Sequence, residues 1–187
     1  MSDDVWRFID GVRSTDARTK FAAAKELRRL SSEDPFSVYP HFDVLASLLD
    51  GDNTILQWNA ILAIGDLSAV DDQGKVDAYL DRFISYLGEG SMITANNTIV
   101  ALTTIARNKP HHRGRIVDAL LCVEDQEYDT ANCTSIVIGK TILAFNELYE
   151  HIRGDERIAD FVRRHIGNER PTTARNAKRL LARLTAG

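Results

Sequence analysis

Apolar residues recur at spacings of three and four along nearly the whole chain, the mark of helices that bury one face, and no run alternates strictly enough to predict a strand. "DARTKFAAAKELRRLS" opens on Asp16, a good N-cap residue, and continues in strong helix formers. "PFSVYPHFDVLASLL" predicts a second helix, with Pro35 suited to its first position. "DGDN", Asp50 to Asn53, reads as a turn, because glycine tolerates positive φ and Asp and Asn make local side-chain turns. The apolar stretch "WNAILAIGDLS" follows. "GKVDAYLDRFISYLGEG" then predicts a short amphipathic helix ended by glycines in the left-handed cap.

Five segments align without a gap: "AAAKELRRL" from Ala22, "NAILAIGDL" from Asn59, "NTIVALTTI" from Asn97, "KTILAFNEL" from Lys140 and "NAKRLLARL" from Asn176. Small residues share one column, at Ala23, Ala60, Thr98, Thr141 and Ala177. Four positions on stand Leu27, Ile64, Leu102, Phe145 and Leu181, and three further on Leu30, Leu67, Ile105, Leu148 and Leu184. The i, i+4, i+7 pattern is one helix face, and its recurrence every 36 to 43 residues is the period of a stacked two-helix repeat. A lone helix pair cannot bury its apolar face, whereas stacked pairs bury a continuous core.

"LASLLDGDNTILQWNAILAIGDL", Leu45 to Leu67, resembles a HEAT repeat: a first helix ending in an aliphatic pair, an Asp-rich turn, then a second helix with a small residue, an aliphatic, a glycine and another aliphatic. The resemblance implies an all-α, right-handed α-α superhelix of about five HEAT-like helix pairs, with approximate units 1–33, 34–70, 71–109, 110–152 and 153–187 in a single repeat domain. "VWRFIDGV" and the basic last helix, "PTTARNAKRLLARLTAG", read as caps. The Val-Arg pair that often opens the second helix of such repeats is replaced by Leu56-Gln57 and Thr94-Ala95, so an Asp–Arg ladder between repeats is not expected.

In HEAT-like stacks the second helices line the concave side, and the resemblance therefore implies a partner surface there. Opposite the core columns lie Ile55, Asn59, Leu62 and Asp66, then Ile93, Asn97, Val100 and Thr104, then Ile136, Lys140, Leu143 and Glu147. The terminal repeats contribute Arg18, Ala22, Lys25 and Arg29 at one end, and Thr172, Asn176, Arg179 and Arg183 at the other. The stripe is aliphatic in its centre and basic at its ends. Two readings stay open: a groove for an apolar peptide or helix with cations at the rim, or aliphatics buried between closely packed helices. The column Asn59, Asn97 and Asn176 does not match the asparagine ladder of armadillo repeats, which would fall at Asp66, Thr104 and Glu147. Bonding to a neighbouring loop is the expectation for these amides.

Charge sharpens one alternative. Through Ala106 there are 9 Lys and Arg against 16 Asp and Glu; from Arg107 onward there are 14 against 11. The net charge of -4 argues against a protein built wholly around nucleic acid, yet the basic C-terminal third leaves nucleic-acid binding open through Arg175, Lys178, Arg179 and Arg183. No nucleotide-binding, hydrolase or metalloprotease motif is present. His111 and His112 are adjacent and so diverge on a helix, and "RNKPHHRGR" reads as an exposed loop and helix start. Cys122 and Cys133 lack zinc spacing and read as small apolar residues. Trp58, Asp66 and the end-unit arginines invite comparison with HEAT-like DNA glycosylases, and the fold with HEAT-like bilin lyases, but form no motif of either.

The sequence thus predicts a non-catalytic protein-interaction or scaffold module presenting the concave surface, with no catalytic residue, cofactor or metal. Its partner is expected to be another protein or peptide. No apolar run reaches the length of a membrane helix, and the acidic opening "MSDDVWRF" does not resemble a secretory leader, so a cytoplasmic protein is expected.

Overall fold

A computed structural model describes residues 2–186, with side chains from Val5 onward, and all regular structure among them is helical. The chain divides into two compact units, one ending at Phe83 and the other beginning at Ile84.

In the first unit, α1 (Ser2–Gly11) buries Val5 and Ile9 and leaves Trp6 exposed, edge-on to the His41 ring at 4.5 Å. The second helix, α2 (Ala17–Glu33), is capped as expected: Asp16 accepts the Thr19 amide at 2.8 Å. The single helix predicted from Pro35 is instead α3 (Pro35–Val38), a 3-10 turn at Tyr39–His41, and α4 (Phe42–Ser47). Pro40 is the physical reason, since it lacks an amide proton and its ring crowds the preceding turn. Asn53 closes the Asp-rich turn by accepting the Ile55 and Leu56 amides, and α5 (Thr54–Leu67) begins there. Ala60, Ile61, Ala63 and Ile64 of α5 have no exposed surface, because α2 packs along it on one side and α3 and α4 cover another.

The next predicted helix is also broken, into a 3-10 turn at Val76–Tyr79, α6 (Leu80–Ser85) and a second 3-10 turn at Tyr86–Gly88. Of the glycines that end this segment, Gly90 lies in the left-handed region, at φ +82°, and Gly74, which opens it, does so at φ +69°. The second unit continues with α7 (Met92–Asn108), α8 (Arg113–Leu121), α9 (Ala131–Glu147), α10 (Tyr149–Ile152), α11 (Glu156–Arg164) and α12 (Pro171–Thr185). Helices α7, α9 and α12 lie side by side, and α8 and α11 form the second layer.

The five aligned segments fall on α2, α5, α7, α9 and α12, and the small-residue column is buried throughout. Leu27, Ile64, Leu102 and Phe145 are also fully buried. At the two ends of the chain the alignment slips. Leu30, Leu181 and Leu184 are only half-buried, while Ser31 and Leu180 take the core positions. An end helix has a helix of its own kind on one side only. Its core face is therefore narrower, and one residue of rotation, about 100°, decides which side chain it includes.

Pairing between repeats exists, contrary to expectation, but not at the start of the second helices. Arg82 reaches back 32 residues to Asp50 at 2.7 Å and to the Leu49 carbonyl at 2.6 Å. Arg157 meets Asp118 at 2.7 Å, and Arg164 and His165 both meet Glu124, at 2.5 and 3.0 Å. Arg183 meets Glu150 at 3.2 Å. Each pair spans about one repeat, and most tie first helices rather than second ones. Apart from the half-buried His165–Glu124 contact, these pairs are largely exposed and fix register more than they add stability.

One close approach in the second unit sets the spacing of α9 and α12. A Cβ at Gly139 would lie 2.5 Å from the Thr173 hydroxyl oxygen, which itself donates to the Ser135 carbonyl at 2.8 Å. Gly139→Ala is expected to cost about 1–3 kcal/mol in urea unfolding. Gly139→Ala combined with Thr173→Ala is expected to recover part of that loss, and equal losses in the two variants would refute the contact as the cause.

Two tyrosines, Tyr39 buried and Tyr128 half-buried, make stability sensitive to alkali. Burial pushes the Tyr39 hydroxyl up to about 12, helped by its 2.5 Å hydrogen bond to the Asp71 carboxylate; Asp71 also accepts the Lys75 and Val76 amides. Burial likewise raises Tyr128 to about 12, where its hydroxyl donates to the Leu87 carbonyl at 2.6 Å. The unfolded phenol loses its proton near pH ~10. Stability is therefore complete below about pH 10 and falls as pH rises from there to about 12. Unfolding midpoints across that range should decline less steeply in Tyr39→Phe and Tyr128→Phe than in the wild type.

Candidate interaction groove

The expected concave stripe is a mixed surface. Ile55 is 42% exposed, Ile93 46% and Leu143 41%, so three of its aliphatics reach solvent. Asn59, Asp66, Asn97, Val100, Thr104, Ile136 and Lys140 are half-buried. Leu62 departs from the surface placement: at 7% it belongs to the core. It sits between Ile61 and Ala63, which are both fully buried, on a helix enclosed on several sides.

The asparagines also behave differently from expectation. The Asn59 amide donates to the Ile55 carbonyl at 2.8 Å, and Asn97 donates to the Ile93 carbonyl at 3.1 Å. Both bond their own helix four residues back rather than a neighbouring loop, a local option open to short amides.

In the second unit the stripe closes into a groove of about 270 Å³. Helix α9 contributes Ile136, Gly139, Lys140 and Leu143; Asn96 comes from α7, and Arg170, Thr172 and Asn176 come from the start of α12. No carboxylate lines it, so Lys140 and Arg170 give it a positive character. The side-chain oxygen of Asn96 is buried and accepts no hydrogen bond, a costly arrangement for a polar atom. Gly139 lets α12 approach α9, and the groove opens where Lys140 and Leu143 follow on α9. Asn96, Gly139 and Arg170 stood outside the sequence-based site. Their only signals were adjacency to Asn97, Lys140 and Pro171, since nothing in their residue types marks a groove.

The basic C-terminal residues separate into two groups. Arg175, Lys178 and Arg179 are exposed and, among the described residues, form no ion pair. Arg183 is engaged instead. It donates to the Asn146 carbonyl at 3.2 Å and to Glu150, and its guanidinium stacks 3.7 Å from the Tyr149 ring centre, so it anchors α12.

A larger open cleft of about 700 Å³ lies between α8 and α11. Its arginines are committed: Arg157 lies between Asp118 and Asp155, and Arg113 donates to the Ala106 carbonyl at 3.1 Å. The Arg157 guanidinium holds the Asp155 carboxyl below its ordinary range. The basic segment before α8 is largely exposed, as expected, except that Lys109 is buried at 8%. Cys122 corrects the expectation of an apolar setting, because it is exposed in the 3-10 turn Cys122–Asp125. No helix among the described residues is long and apolar enough to cross a membrane.

Helical pairs recurring at this period, with small residues where the long helices meet, define the class: an all-α, HEAT-like helical repeat. No protein-family model matches the sequence, and no curated protein matches it. Among solved structures, the chain is similar to two engineered proteins from a structural genomics consortium. Each is 15% identical with a TM-score of 0.54, over 98% of this chain and 97% or 99% of the other. A designed armadillo repeat protein aligns over 95% of this chain and 98% of its own, at 14% identity and a TM-score of 0.46. At such identities the two engineered proteins share the fold, and the likeness extends no further.

Proposed function

We propose that the chain is a non-catalytic interaction module that binds an acidic, aliphatic segment of a partner protein in the groove formed by α7, α9 and α12. The observation that carries this reading is the lining itself: aliphatic surface at Ile136 and Leu143 beside Lys140 and Arg170, with no acid to neutralise them. Charge complementarity selects carboxylates, and the exposed Leu143 with the half-buried Ile136 selects an apolar side chain next to them. An enzyme of the glycosylase kind is disfavoured because Trp58 and Asp66 stand eight residues apart on α5. That is about 12 Å of helical rise, too far for two side chains to serve one reacting group.

Selection from a random displayed-peptide library tests the reading. The wild type is expected to enrich carboxylates adjacent to Leu, Ile or Val, and Lys140→Glu is expected to lose that preference. Absence of enrichment, or enrichment unchanged in Lys140→Glu, would overturn it.

A second reading rests on Arg175, Lys178 and Arg179, which present three exposed cations on one helix. In that reading α12 contacts nucleic-acid phosphates, and retention on DNA or RNA falls steeply with salt. Lack of retention at low salt excludes it.

A further inference from the structure

We infer that the groove reads the free C-terminal end of a partner polypeptide, with an aliphatic last residue; this rests on the interaction reading above and specifies its ligand. The lining makes two separate demands. Lys140 and Arg170 call for an anion, and Ile136 and Leu143 call for an aliphatic side chain. Both must be met within about 270 Å³, slightly below the range of about 300–1,000 Å³ that holds drug-sized ligands.

An internal segment meets these demands only with two or more residues, because Asp and Glu supply the carboxylate but little aliphatic surface. A terminal Leu, Ile or Val carries the carboxylate and the aliphatic side chain on a single Cα, which suits a small groove. A free aliphatic amino acid has the same groups, but its ammonium would sit among Lys140 and Arg170. In a polypeptide that nitrogen is an uncharged amide, so the charge complementarity favours a chain end over a free amino acid. The field of α12 acts in the same direction. Arg170 and Thr172 flank its first turn, where Arg170 makes no side-chain capping bond, and the partial positive charge there favours a carboxylate.

Binding of the full chain to labelled short peptides with randomised last positions, each made as the free acid and as the C-terminal amide, tests this. The expected result is binding of free acids ending in Leu, Ile or Val, weakened at least about tenfold by amidation. Lys140→Glu and Arg170→Glu should abolish the difference between acid and amide, and Lys140→Arg should retain it. Thermal unfolding of each variant establishes that the fold is intact, and all these side chains lie at the surface of the groove. Equal binding of acids and amides would overturn the inference. Binding of internal acidic-aliphatic peptides with amidated ends, without preference for the free end, would overturn it while sustaining the interaction reading. Failure of every peptide class to bind would overturn both.

Discussion

Phe145→Ala is expected to lower the unfolding free energy by about 3–5 kcal/mol, the range for deleting a fully enclosed aromatic ring. Phe145 has no exposed surface and occupies the repeat column of Leu27, Ile64 and Leu102 as its bulkiest member. Its ring meets Phe161 of α11 at 5.6 Å, almost perpendicular, in the edge-to-face arrangement that adds to simple burial. Phe161 in turn lies 4.9 Å from the His165 ring. The cavity would therefore open between α9 and the second layer, bounded by helices that cannot collapse into it freely. Urea unfolding followed by circular dichroism measures the loss. A cost below about 1 kcal/mol would mean that the layer relaxes around the missing ring.

The second large effect is a contrast within one predicted surface. Leu62→Asp places a carboxylate at a position only 7% exposed, flanked by fully buried neighbours. No cation is among the adjacent side chains of α5, so the charge has no partner on its own helix, and the expected cost is about 3–5 kcal/mol. Leu143→Asp changes a side chain that is 41% exposed and beside Lys140, so its expected cost is about 1 kcal/mol or less, mostly helix propensity. Unfolding midpoints of the two variants decide the matter. If both fall together, the groove wall is core after all; if neither falls, Leu62 is accessible.

The long helices were legible because each places a small residue and two aliphatics at fixed spacing, and that pattern follows directly from burying one face. The first helices of the repeats were less so. They are short, and Pro40 breaks one where the apolar spacing alone reads straight through. The fate of the stripe was legible only in outline. Ile55 and Leu62 have the same apolar character and lie on the same predicted face, yet one is exposed and the other is core. The difference comes from neighbouring elements, which a single helix does not encode. The ion pairs were hidden for a similar reason. Arg82, Arg157 and Arg164 are ordinary surface residues until folding brings acids 32 to 40 residues away beside them. Arg183 looks in sequence like its neighbour Arg179, but only Arg183 has Tyr149 and Glu150 within reach.

The division after Phe83 gives the protein a spectroscopic partition. Both of its tryptophans, Trp6 and Trp58, precede that boundary, while Tyr86, Tyr128 and Tyr149 follow it. Tryptophan emission therefore follows the first unit, whereas the far-ultraviolet signal sums the helices of both. In Phe145→Ala, whose lesion lies in the second unit, the two signals become independent clocks. Coincident transitions mean a single cooperative fold, and an early ellipticity loss with unchanged emission means two folding units joined in one chain.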